Sequence, residues 1–111
     1  MRIDQDSWYI TQRVIRRYPK NKKLMRDSEG VFRERIIREI EAVEEALETM
    51  LPEHRQIIVR RFWSNKGRSV QYECMQDSGY SIRQMKRIVE KMTRKTAEKL
   101  GEIAMEKPTG M

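Results

Sequence analysis

The sequence predicts an all-α protein, a small domain of about five helices whose last two are joined by a glycine turn. Apolar residues recur every three or four positions through most of the chain, and no segment alternates like a strand. The 111 residues suffice for one modest core. A charged fraction of 37% beside a hydrophobic fraction of 38% suits helices that each bury one stripe and solvate the rest.

The first predicted helix begins near Asp6 or Ser7, either of which can cap the free amides of its first turn. Its apolar positions have helical spacing: Trp8, Ile10, Val14, Ile15 and Tyr18. Pro19 predicts the end of the helix at Tyr18, because the residue before a proline disfavours the helical conformation. The segment 20–30 is expected to be a loop. Its initial basic run is either a phosphate contact or an ordinary solvated linker.

A second helix is predicted from Val31 to Met50. Six apolar residues recur along it at steps of four, four, three, four and three: Phe32, Ile36, Ile40, Val43, Leu47 and Met50. A seam of this kind is typical of a short coiled coil between subunits, which would make the protein a homo-oligomer. More often, such a seam packs against the other helices of its own domain.

A third helix is expected to start at Pro52, because proline at the first helical position and Glu53 in the first turn are both favourable there. Its inward residues are Ile57, Ile58, Phe62 and Trp63. Residues 64–67 form a predicted turn. Ser69 is then expected to cap a short fourth helix that ends at Ser78. The inward residues of this fourth helix are predicted to be Val70, Cys74 and Met75.

The last helix is preceded by a turn and a cap. Gly79 is expected in the left-handed conformation, and Ser81 with Gln84 three residues later has the capping-box pattern. We expect this helix to fray near residues 106–108. One of its sides is apolar and comprises Ile82, Met85, Ile88, Val89, Met92, Thr96, Leu100 and Ile103. The order of short helix, glycine turn and capped helix predicts a C-terminal helix-turn-helix.

The net charge of +7, with a pI near 9.8, is unevenly distributed. Residues 1–50 carry 11 basic and 10 acidic residues, a net of +1, whereas residues 51–111 carry 13 and 7, a net of +6. Basicity concentrated in one half predicts a polyanionic partner for that half, nucleic acid before membrane.

The second helix of such a pair enters the major groove and presents its N-terminal side chains to base edges. Arginine and glutamine make bidentate contacts with guanine and adenine respectively. The alternative is an amphipathic helix whose cations only solvate it. Eight residues form the predicted DNA-binding set: Ser81, Arg83, Gln84, Lys86, Arg87, Lys91, Arg94 and Lys95.

The stretch from Leu51 to Leu100 resembles region four of bacterial sigma factors. The resemblance rests on Leu51-Pro52-Glu53-His54-Arg55, Ile57-Ile58-Val59, Arg61-Phe62-Trp63, Gly79-Tyr80-Ser81 and the closing Lys99-Leu100. With its small size and long second helix, the chain is most similar to the ArpU/RinA group of phage late-gene regulators. Ser78 departs from the pattern, which usually has an apolar residue before the glycine.

This resemblance implies promoter-proximal DNA binding and activation of late packaging and structural genes, with host RNA polymerase as a further candidate partner. The segments expected are 1–50 for packing or oligomerisation, 51–106 for DNA binding, and a tail, 107–111. Two other hypotheses remain open: a small-terminase-like DNA-packaging protein, and a module that binds polymerase or a sigma factor without nucleic acid.

Other function classes find little support in the sequence. No apolar run is long enough for a membrane span, and the first residues lack the apolar core of a signal peptide. A single cysteine is typical of a reducing compartment, so we expect a cytoplasmic protein. His54 is expected to pack or be solvated rather than to catalyse. We therefore expect no enzymatic activity, no metal site and no cofactor.

Overall fold

In a computed structural model of the protein, residues 4–65 and 68–101 are described. Within these ranges every regular element is helical, which confirms the all-α prediction. The four α-helices are α1 (Gln5–Leu24), α2 (Gly30–Glu48), α3 (Pro52–Ile58) and α4 (Ile82–Leu100). A short 3₁₀ helix follows α1 (Met25–Asp27), a π-helical turn extends α3 (Val59–Trp63), and a second 3₁₀ helix precedes α4 (Tyr72–Ser78).

Helix α1 is longer than the sequence predicted at both ends. Asp4 caps it, and its carboxylate accepts a hydrogen bond of 2.8 Å from the backbone N–H of Ser7. The predicted end at Tyr18 is wrong, because Pro19 lies inside the helix. A proline inside a helix leaves the carbonyl four residues earlier without its usual donor. Here that carbonyl, of Ile15, accepts a hydrogen bond of 2.8 Å from the indole of Trp63.

The predicted loop at 20–30 is correspondingly shorter. Residues 20–24 belong to α1, and the chain then makes one 3₁₀ turn before α2 begins at Gly30. The hydroxyl of Ser28 donates 2.7 Å to the carbonyl of Leu24 and closes the end of α1. The basic run therefore lies on a helix and not in a flexible connection.

The seam of α2 faces the rest of its own chain over most of its length. Ile36, Ile40 and Val43 are at most 5% exposed within the single chain. Leu47 is partly buried, whereas Phe32 remains 55% exposed. The structure thus supports packing within the domain for this part of the seam. These residues offer no free surface for a coiled coil between subunits.

One core joins the N-terminal and C-terminal segments. Helix α4 packs against α1, α2 and α3, so the boundary at residue 50 does not divide the core. The buried cluster consists of Val14, Ile15, Val43, Ala46, Met50, Ile57, Ile58, Phe62, Met75, Met85, Ile88, Val89 and Met92.

Polar side chains add directional contacts between α1 and α2. Glu39 is only 8% exposed, and its carboxylate accepts hydrogen bonds from Arg17 at 3.1 Å and Asn21 at 2.9 Å. Nearby, Glu44 accepts 2.7 Å from the hydroxyl of Tyr18 and 3.0 Å from Lys22. Because a buried carboxylate without partners is costly, this network fixes how α1 lies on α2.

Helix α4 ends at Leu100, earlier than predicted. Gly101 follows in the left-handed conformation, with φ 89°, which terminates a helix readily because glycine has no Cβ. The guanidinium of Arg38 donates 2.8 Å to the carbonyl of Leu100 and ties this end to α2. Ile103, the expected fraying at 106–108 and the tail 107–111 lie outside the described residues, as do Lys66 and Gly67 of the predicted turn.

Candidate nucleic-acid interface

The turn before α4 has the predicted geometry. Gly79 has φ 91°, and a Cβ there would meet no neighbouring atom within 4 Å, so backbone conformation alone favours glycine at this position. The hydroxyl of Ser81 accepts 3.1 Å from the backbone N–H of Gln84, and the Gln84 side chain accepts 2.8 Å from the N–H of Ser81. The predicted glycine turn and capping box are therefore both confirmed.

The element before this turn differs from the prediction. It is a 3₁₀ helix, capped at Gln71 without a side-chain bond, so Ser69 is not its cap. Met75 is fully buried, as expected, but Cys74 is exposed rather than inward. The cause is the tighter winding: a 3₁₀ helix has three residues per turn, and Met75 itself interrupts it with φ −117° and ψ 15°. The inward positions of an α-helix therefore do not apply.

Helix α4 presents its predicted DNA-binding residues on the side away from the core. Met85, Val89 and Met92 are at most 2% exposed and fix the inward side. We define the α4 basic face by the exposed cations of the predicted set: Arg83, Lys86, Arg87, Lys91 and Lys95. Arg94, by contrast, is half-buried.

Gln84 is exposed, but its side chain already has a structural partner. Bidentate recognition of adenine needs both the amide oxygen and the amide nitrogen of glutamine. In this structure the oxygen accepts the capping hydrogen bond from Ser81. Base contact by Gln84 would thus compete with the cap that starts the helix.

A contact that the sequence analysis missed positions Lys86. Its ammonium nitrogen lies 5.8 Å from the centre of the Tyr72 ring, and the guanidinium carbon of Arg61 lies 4.1 Å from the same centre. Arg61 also donates through its guanidinium to the carbonyl of Val70, whose N–H donates 2.9 Å to the Arg61 carbonyl. Burial raises the pKa of Tyr72, and the charge of Arg61 partly opposes this. No sequence signal predicts this arrangement, since its members come from three elements.

A small cleft lies between the start of α3 and α4. Its volume is about 210 Å³, and its polar lining includes His54, Arg87 and Lys91. The imidazole of His54 is half-buried and meets the Tyr80 ring edge-on at 5.7 Å, which agrees with the predicted packing role. Arg87 and Lys91, two cations of α4, therefore line one cleft together.

An ion pair between Arg60 and Asp77 lies close to the turn before α4. Arg60 donates 2.7 Å to the carboxylate of Asp77 and 3.2 Å to the carbonyl of Cys74. The hydrogen bond from Arg60 holds the pKa of Asp77 below its ordinary value. This pair ties the π-helical turn to the 3₁₀ helix. Because Asp77 pairs with Arg60, this arginine is not a free cation.

Comparison with known proteins adds no relative: no family model matches the chain, and neither a curated protein nor a solved structure is significantly similar to it. Among the described residues, no helix combines the length and apolar character needed to cross a membrane.

Proposed function

We propose that the protein is a sequence-specific duplex-DNA-binding regulator of transcription that places α4 in the major groove. The observation that carries the proposal is the α4 basic face, which follows directly on a left-handed glycine and a capping box. An amphipathic helix needs neither of these features to be solvated. A helix-turn-helix often has glycine in its turn, and the capping box fixes the residue at which the second helix begins.

The position of each cation along α4 suggests its role. Arg83 and Arg87 lie in the first two turns, where this docking mode brings side chains to base edges. Lys91 and Lys95 follow one and two turns later, where the helix leaves the groove and meets phosphates. Lys86 lies to one side, held over the Tyr72 ring, in a position suited to a phosphate.

The resemblance to sigma region four and to the ArpU/RinA group extends this proposal to promoter DNA of phage late genes, in the host cytoplasm, with host RNA polymerase as a second proposed partner. These finer statements rest on the resemblance alone. Oligomerisation is likewise a proposal, and it needs a surface other than the buried part of the α2 seam.

Selection of bound sequences from a random duplex pool tests the proposal directly. We expect one enriched sequence, and we expect binding to weaken steeply with salt, because each neutralised phosphate contributes about 0.9 to the log–log slope. Three to six contacts per subunit, roughly, would fit one such motif on that scale. A pool without enrichment, or a flat salt response, contradicts the proposal.

Substitutions on α4 then separate base reading from phosphate binding. Arg87→Ala should cost about 1–3 kcal/mol on the enriched duplex and much less on a scrambled one. Lys95→Ala should weaken both duplexes alike and lower the salt slope by about one unit. Arg26→Ala removes an exposed cation away from α4 and is the control. It should change neither the affinity for the two duplexes nor the salt slope.

Two measurements address the other hypotheses. Packaging subunits of the small-terminase type form rings, so the solution mass from light scattering distinguishes a ring from a monomer or dimer. A protein-binding module without nucleic acid would fail to shift duplex DNA at all.

A further inference from the structure

Residues 7–26 form the most cationic segment of the chain. This segment contains seven basic residues and no acidic one; the basic residues are Arg13, Arg16, Arg17, Lys20, Lys22, Lys23 and Arg26. The acidic residues that reduce the net charge of residues 1–50 lie mostly on α2. The positive charge on α1 is therefore hidden when the chain is divided into halves.

Four of these cations share one side of α1. Arg13, Arg16, Lys20 and Lys23 are separated by steps of three, four and three, which places them on a single helical face. All four are exposed, and the face lies opposite the buried Val14. We call these four residues the α1 cationic face. Tyr9, 60% exposed, extends the face by one turn towards the N-terminus.

The acidic side chains of α2 do not neutralise this face. Arg17 pairs with Glu39 at 3.1 Å and Lys22 with Glu44 at 3.0 Å, both on the side of α1 that meets α2. None of the four cations of the α1 cationic face has a hydrogen bond or ion pair with another residue in the described ranges.

A merely solvated helix usually carries acidic residues three or four positions from its basic ones, because such pairs stabilise it and like charges repel. Within α1 there is no such pair along this face; Asp27, four positions after Lys23, lies beyond α1 in the 3₁₀ helix and forms no ion pair with it. Four like charges are thus held together over residues 13–23, about 15 Å of helix. Duplex DNA carries one negative charge per about 1.7 Å of axis, so it offers enough phosphates over that length to meet all four.

We infer that the α1 cationic face binds the phosphate backbone of duplex nucleic acid, as a second binding surface separate from α4. The inward sides of α1 and α4 share one core, with Ile15 and Met92 in the same buried cluster, so the two cationic faces point outwards from different helices. The phosphates belong either to a second duplex or to a more distant part of the duplex that α4 holds. This inference is independent of whether α4 recognises a specific DNA sequence.

The test compares two variants that change the net charge equally. Arg16→Gln/Lys20→Gln removes two positive charges from the α1 cationic face. Arg26→Glu changes the net charge by the same amount but replaces an exposed cation of the 3₁₀ helix. All three residues are exposed, so both variants should keep the wild-type thermal midpoint. If the first double variant loses its fold, Arg13→Gln/Lys23→Gln provides an independent pair on the same face.

Binding is measured on a random-sequence duplex of about 40 base pairs and on one of about 12, little more than a helical turn. On the longer duplex, Arg16→Gln/Lys20→Gln should lower the salt slope by about two units and the affinity roughly tenfold relative to Arg26→Glu. Repeating the comparison in an Arg87→Ala background separates this surface from α4, because the loss should persist there.

A bridging assay distinguishes the two sources of phosphate. A bead-bound duplex is incubated with protein and a fluorescent free duplex, and retention of the free duplex is measured. Loss of retention in Arg16→Gln/Lys20→Gln but not in Arg26→Glu assigns the face to a second duplex. A loss confined to affinity for the longer duplex assigns it to the same duplex.

Equal binding and bridging by the two charge-matched variants overturns the inference. So does a selective loss of binding to vesicles of phosphatidylcholine and phosphatidylserine with duplex binding unchanged, since the face would then bind an anionic membrane surface instead.

Discussion

The indole N–H of Trp63 donates a hydrogen bond of 2.8 Å to the backbone carbonyl of Ile15, 48 positions earlier in the chain. This carbonyl lies four residues before Pro19, so the proline has removed the amide that would otherwise pair with it. The Trp63 ring also packs against Tyr18, with ring centres 5.0 Å apart. The bond thus compensates the proline inside α1 and joins α1 to the π-helical turn.

Trp63→Phe should lower the free energy of unfolding by about 1–3 kcal/mol, because it leaves a backbone carbonyl without its donor. In a Pro19→Ala background the loss should be smaller, since the alanine amide can pair with Ile15. Pro19→Ala alone should stabilise the protein, because it restores the helical hydrogen bond. Urea unfolding of the four proteins in a double-mutant cycle measures the coupling.

Trp8→Phe is the matched control, because the half-buried Trp8 indole has no hydrogen bond to any described residue. It should show no coupling to Pro19→Ala. If Trp63→Phe costs the same with and without the proline, the indole acts through packing alone.

The sequence predicted those elements that depend on local signals. The capping box at Ser81, the left-handed Gly79 and the proline start of α3 were all correct, because each depends on residues within one turn of helix. The end of α1 was not predictable in this way. A proline breaks a helix unless something else satisfies the freed carbonyl, and the donor here is Trp63, far along the chain.

For the candidate site, too, the sequence predicted the features that depend on local spacing and missed those that depend on tertiary packing. Helical periodicity correctly placed six of the eight expected residues on the exposed side of α4, whereas Ser81 caps the helix and Arg94 is half-buried. The Tyr72 contacts with Arg61 and Lys86 depend on tertiary packing and left no trace in spacing. The α1 cationic face did leave a signal. A moving window of net charge, instead of a division into halves, would have shown it.

Ile40→Glu should unfold the chain or lower its stability by more than about 4 kcal/mol, because Ile40 is 5% exposed inside the single chain. A coiled coil between subunits would instead yield a folded monomer. Circular dichroism and light scattering on the same sample distinguish the two results. Phe32→Ser, at an exposed position of the same seam, is the control and should remain folded.

The contact between Tyr18 and Glu44 predicts a specific dependence of stability on pH. Burial and the hydrogen bond with Glu44 raise the pKa of Tyr18 from 10.0 to about 12. Because this pKa is raised in the folded state, the contribution of the Tyr18 hydroxyl to stability is complete below the unfolded pKa of 10.0. It is lost as the pH rises towards 12. The hydrogen bond from Tyr18, followed by that from Lys22, lowers the pKa of the Glu44 carboxyl. Its contribution is therefore present above 4.5 and is lost as the pH falls through the lowered value.

Tyr18→Phe keeps the ring but removes the hydroxyl, so the pH dependence of the difference between the two proteins isolates this contact. The free energy of unfolding of wild type relative to Tyr18→Phe should be constant near neutral pH and decrease above about pH 10. Chemical unfolding at a series of pH values measures it. A difference that stays constant up to about pH 11.5 would show that the hydroxyl does not titrate with a raised pKa.

Gln84 provides the sharpest test of how the start of α4 works, because capping and base reading make opposite demands on its amide oxygen. Since the oxygen accepts 2.8 Å from the N–H of Ser81, we expect Gln84→Ala to lower the stability by roughly 0.5–1 kcal/mol, as loss of a cap does. On the enriched duplex it should cost less than Arg87→Ala, and it should weaken a scrambled duplex to a similar extent. Gln84→Glu can retain the capping box and should restore stability while weakening both duplexes through its negative charge. Thermal unfolding and binding to each of the two duplexes measure these three quantities for every variant. If Gln84→Ala leaves the thermal midpoint unchanged and removes as much discrimination as Arg87→Ala, Gln84 leaves the cap and reads a base when DNA is bound.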